Sequence, residues 1–414
     1  MSNFRPGRFL GILGGTVIIL AIGLYGPATL IGPLPAATAT LVSPAAAAPN
    51  PSPPQLPEDG ASAVIAHGTS TPIASAGQTE PLPMASATKI VTALVVLSAK
   101  PLERDDAGPA VTITAEDYAD YITYGKDGAR TVAVFAGETW SERDLLAAMI
   151  LGSSNNHADT LARWAFGSVD AYLVAAAAWL DEHDLSGITV ADATGLNDDS
   201  AGTGIDLAKL AGLAAADPVI TDILANPASA LTGLRGVNNT TGFLPDEGVT
   251  GISRSYTDAA GICFLFTGSV GTGDDAYSFA GAFIGEPDYD TLTADVTALM
   301  ASARAGVAQL PILAEGDAYV TFETPWGQSA SAVVARGTTQ LGWLAADAPL
   351  PSLDINDVTT GRAGATVGRI GVSLGDTTVS SPLVLDSSIT DPGLGWRLLN
   401  PIPVIGAFIE SRSN

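Results

Sequence analysis

Cysteine is almost absent: the 414-residue chain has one, Cys263. A lone thiol excludes an intrachain disulfide framework and any Cys-rich metal site. Histidine is equally scarce, with His67, His157 and His183 scattered along the chain, so no multi-His metal centre is expected. Positive charge is short as well, with 18 Lys and Arg against 43 Asp and Glu, a net charge of −25. Such a surface repels phosphate backbones, which argues against nucleic acid as a partner. Charged residues make up only 15% and hydrophobic ones 47%, so a buried core is available and wholesale disorder is excluded.

What is present begins at the amino terminus. Arg5 and Arg8 precede an uncharged stretch that meets no further charge until Glu58. Its apolar part, 9–31, has the length of a single-pass membrane anchor following a cytoplasmic tail at 1–8. Basic residues before the run and none after it place the amino terminus in the cytoplasm and the rest of the chain on the extracytoplasmic side. A cleaved signal peptide, and hence secretion, is the competing reading. Residues 32–59 are rich in Ala and Pro, as in Pro49-Asn50-Pro51-Ser52-Pro53-Pro54, and read as an extended spacer.

The exported part divides by texture. Over 60–310, helices are expected at Ser86–Ser98, Ser141–Ile150, Val169–His183, Asp206–Ala216 and Asp290–Val307. Ser141 and Asp144 give the second of these a capping-box-like start. Gly251–Tyr256 and Gly261–Thr267 read as a hairpin. Over 311–390 the pattern changes to short strand-like runs between turn residues, a small all-β module. The tail, 391–414, is apolar but interrupted by Pro401 and Pro403, and is expected to pack rather than span.

Ser86-Ala87-Thr88-Lys89 is the first candidate for chemistry. Residues i and i+3 share a helix face, so Lys89 can approach the Ser86 hydroxyl. A serine becomes a useful nucleophile only when a neighbouring base takes its proton. Of four lysines, Lys89 alone lies inside an apolar run, where desolvation lowers an ammonium pKa. With its flanks, Met84 to Ala93 resembles the nucleophile segment of the D-alanyl-D-alanine carboxypeptidases, the low-molecular-mass penicillin-binding proteins. Leu151-Gly152-Ser153-Ser154-Asn155-Asn156 is similar to that family's Ser-x-Asn motif in two registers; Leu161-Ala162 downstream selects Ser153 and Asn155. Asp192-Ala193-Thr194-Gly195-Leu196 with Thr203 to Ala208, and Asn238-Asn239-Thr240, extend the resemblance across about Ala61 to Val307.

The third motif departs. Where the family has Lys-Thr-Gly before Tyr-Thr, this chain has Ser253-Arg254-Ser255 before Tyr256-Thr257. In the family the lysine keeps the cleft positive, the threonine helps hold the substrate carboxylate, and the glycine leaves room along the strand. Arg254 either replaces the lost charge or, because successive strand residues face opposite ways, projects elsewhere.

The resemblance implies a serine penicillin-recognising α/β (α+β) fold, an antiparallel sheet flanked by helices. It implies a peptidoglycan stem peptide as substrate, penicillin-type inhibitors, and no metal or cofactor. Ser86 is expected as nucleophile, Lys89 as its base, Ser153 as proton relay, and Asn155, Ser253, Arg254 and Ser255 as substrate-binding residues. A backbone N–H of Ser86 is expected in the oxyanion hole. The altered third motif leaves a second reading open, a non-catalytic envelope scaffold or peptidoglycan-binding protein. His157 and Cys263 read as packing residues.

Overall fold

The computed structural model describes residues 6–20, 23, 25–43, 53–227, 230–273, 276–343, 351–374 and 377–411. The chain divides into two compact units, one of residues 50–308 and 341–347, the other of 1–49, 309–340 and 348–414.

The first unit is built on a five-stranded antiparallel sheet. Its strand order is Pro72–Gly77, Ala61–Ala66, Tyr277–Glu286, Gly261–Val270 and Val249–Thr257. The period-2 alternation of strands sorts its residues onto two faces. Small side chains, Ala61, Ala63, Ala280 and Ala282, join one core with Cys263 and Leu265. Large ones, Phe264, Phe266, Phe279 and Phe283, fill the other, against Leu292, Val296 and Met300 of the Tyr289–Gly306 helix. The small-residue face lets the Gly204–Ala216 helix lie close: a Cβ on Gly212 would already be 3.0 Å from Ile65. Thr88–Ala99 is the central helix of this layer and is buried from Thr88 through Leu97. Around it pack Glu142–Gly152, Asn155–Phe166 and Val169–Glu182. Ser141 caps the first of these by accepting from the Asp144 N–H at 3.1 Å. The Ala115–Lys126 and Asn155–Phe166 helices and the Tyr277–Glu286 strand were not among the sequence expectations; Ala115–Lys126 is mostly polar and is held by a full capping box at Thr114 and Asp117.

The second unit is a six-stranded antiparallel sheet around Val320, Phe322, Ala332, Ile370, Leu383 and Leu385. Here the expected spacer needs correction. Residues 38–41 of the 32–59 stretch form a strand, Thr38–Leu41, paired with Ala318–Glu323 at the sheet edge. The Ala37 N–H donates to the Val358 carbonyl at 2.7 Å and the Val42 N–H to that of Tyr319 at 2.9 Å. The segment carries no proline from Ala36 to Ser43, so its backbone donors are free to join a sheet. Residues 44–52 of the spacer lie outside the described residues.

The apolar amino-terminal stretch is helical over Pro6–Leu20 and Gly26–Leu30. Among the described residues no helix is long and apolar enough to cross a membrane. The expected span 9–31 includes residues 21, 22 and 24, which lie outside them. Gly26–Leu30 packs against two carboxy-terminal helices, Gly393–Leu399 and Pro401–Glu410. The Tyr25 hydroxyl donates to the Leu398 carbonyl and Arg397 to that of Gly32, each at 2.7 Å. Pro401 opens its helix in the first turn, where a missing N–H costs nothing.

Candidate active site

Ser86 sits on a single 3₁₀ turn, Ala85–Ala87, that leads into the Thr88–Ala99 helix. Ala85 holds a left-handed backbone, φ +44°, which turns Ser86 toward the cleft. A non-glycine residue in that region is strained, and its neighbours fix it there. Gly195 packs directly on the Ala85 carbonyl: a Cβ on it would lie 1.8 Å from that oxygen, and its φ is +79°.

Lys89 lies one turn on and is 2% exposed. Its Nζ donates to Ser86 Oγ at 2.9 Å and to the Thr194 carbonyl at 2.6 Å. Burial pulls the Lys89 ammonium from its ordinary value of 10.5 down to about 7; Asp192 and Asp159 oppose this and Arg130 adds to it. Desolvation alone outweighs two carboxylates.

Ser153 closes the group. Its Oγ donates to Ser86 Oγ at 3.0 Å. It is the left-handed cap of the Glu142–Gly152 helix, φ +51°, and the chain reverses there into the Asn155–Phe166 helix. The two registers separate cleanly. Ser154 is buried and accepts from the Val132 N–H at 3.0 Å, while its hydroxyl donates to Asn156. Ser153 alone of the two serines reaches Ser86, in line with the register set by Leu161-Ala162. Asn155 donates from Nδ2 to the Arg130 carbonyl at 2.9 Å, and its buried Oδ1 has no partner among the described residues.

The third-motif residues fall on opposite faces of the Val249–Thr257 edge strand. Ser253 and Ser255 are buried toward the cleft, paired with Leu265 and Cys263 of the neighbouring strand. Arg254 is turned away, its guanidinium over Phe243 at 5.2 Å and Tyr289 at 5.1 Å. The reading in which Arg254 replaces the lost charge is thereby corrected: period-2 geometry sends it to the aromatic face. The expected oxyanion donor is also engaged. The Ser86 N–H donates to Ser255 Oγ at 3.2 Å.

Ser86, Lys89, Ser153, Thr240, Thr241, Ser253 and Arg254 are among the residues that line one pocket. Thr240 is anchored beside Ser153 by its N–H and hydroxyl on the Leu151 carbonyl, at 2.8 and 2.9 Å. His157 is fully buried against Trp140, its ring held neutral by burial with a pKa near 3. The Cys263 thiol is pushed up to about 12 by burial, and both behave as packing residues. Among the described residues no group of three or more His, Cys, Asp or Glu side chains is placed to hold a metal ion.

Sequence reasoning gave no role to Asp192, Thr194 or Gly195, although it singled out their segment. Asp192 accepts from the N–H groups of Gly195, Leu196 and Asn197 and from the Ser200 hydroxyl, at 2.8–3.2 Å. That loop presents the Thr194 carbonyl to Lys89. A backbone carbonyl leaves no trace in side-chain chemistry; the glycine beside it is the only signal.

The chain folds like several solved proteins. D-alanyl-D-alanine carboxypeptidase DacD from Francisella tularensis superimposes with a TM-score of 0.55 at 17% identity, covering 85% of this chain and 96% of that one. The peptidoglycan synthesis regulatory factor PBP3 from Streptococcus pneumoniae gives 0.57 at 20% identity, covering 80% and 99%. Penicillin-binding protein 6B from Escherichia coli gives 0.57 at 18% identity, covering 83% and 99%. Among curated proteins no sequence match is found. The D-alanyl-D-alanine carboxypeptidase family (Peptidase S11) matches residues 49–275, more than half of the sequence. The chain therefore belongs to the D-alanyl-D-alanine carboxypeptidase family of serine peptidases.

Proposed function

We propose that Ser86 is the acylated nucleophile of a carboxypeptidase that trims peptidoglycan stem peptides. The observation that carries this is the hydrogen-bonded group Lys89–Ser86–Ser153, with Lys89 buried and its pKa near 7. In the reaction, neutral Lys89 takes the Ser86 proton as Oγ adds to the carbonyl carbon between two D-alanines. The carbonyl π pair moves onto oxygen, then returns as the C–N bond breaks. Ser153 passes the proton to the leaving amine and is resupplied from Lys89. Water then adds to the ester and releases the shortened peptide, restoring Ser86. Asn155 Oδ1, an acceptor with no partner among the described residues, is suited to a substrate N–H, and Ser253 and Ser255 line the peptide's path. The test is labelling of the full-length chain by a fluorescent penicillin. A band is expected on the wild type and none on Ser86→Ala; equal labelling of both sinks the assignment.

A second reading is favoured by one observation. Arg254 stacks over Phe243 and Tyr289 instead of replacing the third-motif lysine, as in a fold kept for binding peptidoglycan without turnover. Release of D-alanine from a stem-peptide mimic separates the two.

The membrane attachment and extracytoplasmic placement belong to this proposal too. They rest on Arg5 and Arg8 ahead of an uncharged run that lasts to Glu58. Fractionation of expressing cells is expected to leave the full chain with the membranes after high-salt washing; recovery in the soluble fraction speaks against the anchor.

A further inference from the structure

The Ser86 N–H is the one backbone donor whose position beside the nucleophile is fixed by the turn that carries it, and it is already in use. It donates to Ser255 Oγ at 3.2 Å, and Ser255 is 4% exposed on the cleft side of the edge strand. When Ser86 Oγ adds to a carbonyl, the π pair becomes an oxyanion that needs free N–H donors within hydrogen-bond reach. A hydroxyl oxygen held on such a donor occupies the place that the oxyanion must take.

We propose that Ser255 is a latch on the acylation step: its Oγ caps the oxyanion donor at rest and must rotate away before an acyl group can be accommodated. This rests on Ser86 being the nucleophile. A serine side chain has three staggered wells, so the latch opens by a single χ1 change. Opening exchanges one N–H···O bond for another and leaves the Ser255 hydroxyl to be satisfied elsewhere in a nearly closed cleft. That cost falls on every acyl donor alike. Ser255 is thus a positioning residue that slows acylation, although it does not itself react. The position calls for the smallest residue on family grounds, and here a side chain at that place has found the nucleophile's own N–H.

The latch is tested by the second-order rate of fluorescent-penicillin labelling of the full chain. Wild type, Ser255→Ala, Ser255→Gly and the double variant Ser86→Ala/Ser255→Gly are compared. Ala keeps a Cβ and strand character and removes only the acceptor, so it serves where Gly loosens the edge strand. Both single variants are expected to label faster than wild type, by about 10- to 100-fold, a fraction of what losing an oxyanion donor costs. The double variant is expected to stay dark. A generic structural role for Ser255 would slow labelling when removed, whereas the latch requires a gain. Labelling of wild type with no gain in either variant overturns the latch and leaves Ser86 in place. Absence of Ser86-dependent label in all of the chains overturns the latch and the nucleophile together.

Discussion

Lys89→Met is expected to slow acylation of Ser86 by about 10²- to 10⁴-fold, the range that a positioned general base contributes. Methionine matches the stem of lysine in length and is apolar. It fills a site that is 2% exposed, and the variant should melt no lower than wild type. Loss of rate without loss of stability separates a base from a packing residue. Labelling within a fewfold of wild type would remove Lys89 from the mechanism. The pH profile carries the same information with a sign. Lys89 takes a proton only when neutral, and its pKa is near 7, so wild-type acylation should fall roughly tenfold per pH unit below that value and level off above it. Stability should move the same way over a higher window. Between about 7 and 10.5 the unfolded lysine holds a proton that the folded one has released, so wild-type stability rises with pH there. In Lys89→Met that contribution is missing.

Gly195→Ala is expected to be damaging in a different manner. The new methyl would lie 1.8 Å from Ala85 O, 2.5 Å from Ala85 C and 2.7 Å from Thr88 Oγ1, all but the last backbone atoms that cannot rotate aside. The φ of +79° adds strain for any L side chain. Overpacking and backbone strain together should cost about 2–4 kcal/mol of stability, and the forced shift of Ala85 should move Ser86 out of line with Lys89 and Ser153. Thermal melting and penicillin labelling are both expected to drop. Gly236→Ala, at a site where a Cβ meets nothing within 4 Å and φ needs no glycine, is the control and should change neither. A Gly195→Ala chain that melts and labels like wild type would show that the turn is not braced in this way.

Much of the site was legible because its parts are side chains at short spacing. Ser86 and Lys89 are three residues apart, and the helix places them in contact almost unaided. The choice of Ser153 over Ser154 rested on the Leu161-Ala162 pair, which follows Ser153 at the spacing of the family's motif. Strand alternation pointed to the turning away of Arg254, yet that residue was also expected among those that bind substrate. What could not be read depends on groups or distances that the one-letter text does not carry. The Thr194 carbonyl is a backbone atom, identical in every residue. The strand at Thr38–Leu41 is four residues of a small-residue, proline-flanked stretch, and its partner lies about 280 positions away. Local pattern gives such pairing no signal, since the hydrogen bonds that define it are made by a distant segment.

That strand bears on how the molecule is assembled in time. It is made well before the segment it pairs with, Ala318–Glu323, which follows the five-stranded sheet of the first unit along the chain. Ala318–Glu323 pairs on its other side with Ser329–Val334, which in turn waits for Thr377–Leu385. The sheet of the second unit therefore cannot close until Leu385 is made, while the five-stranded sheet of the first has all its strands by Glu286. Ribosome stalling just upstream of residue 318 would leave that five-stranded sheet complete and the Thr38–Leu41 strand unmated. A chain trimmed to begin at Glu58 would do the reverse and bare the edge of Ala318–Glu323, an invitation to pair with another copy.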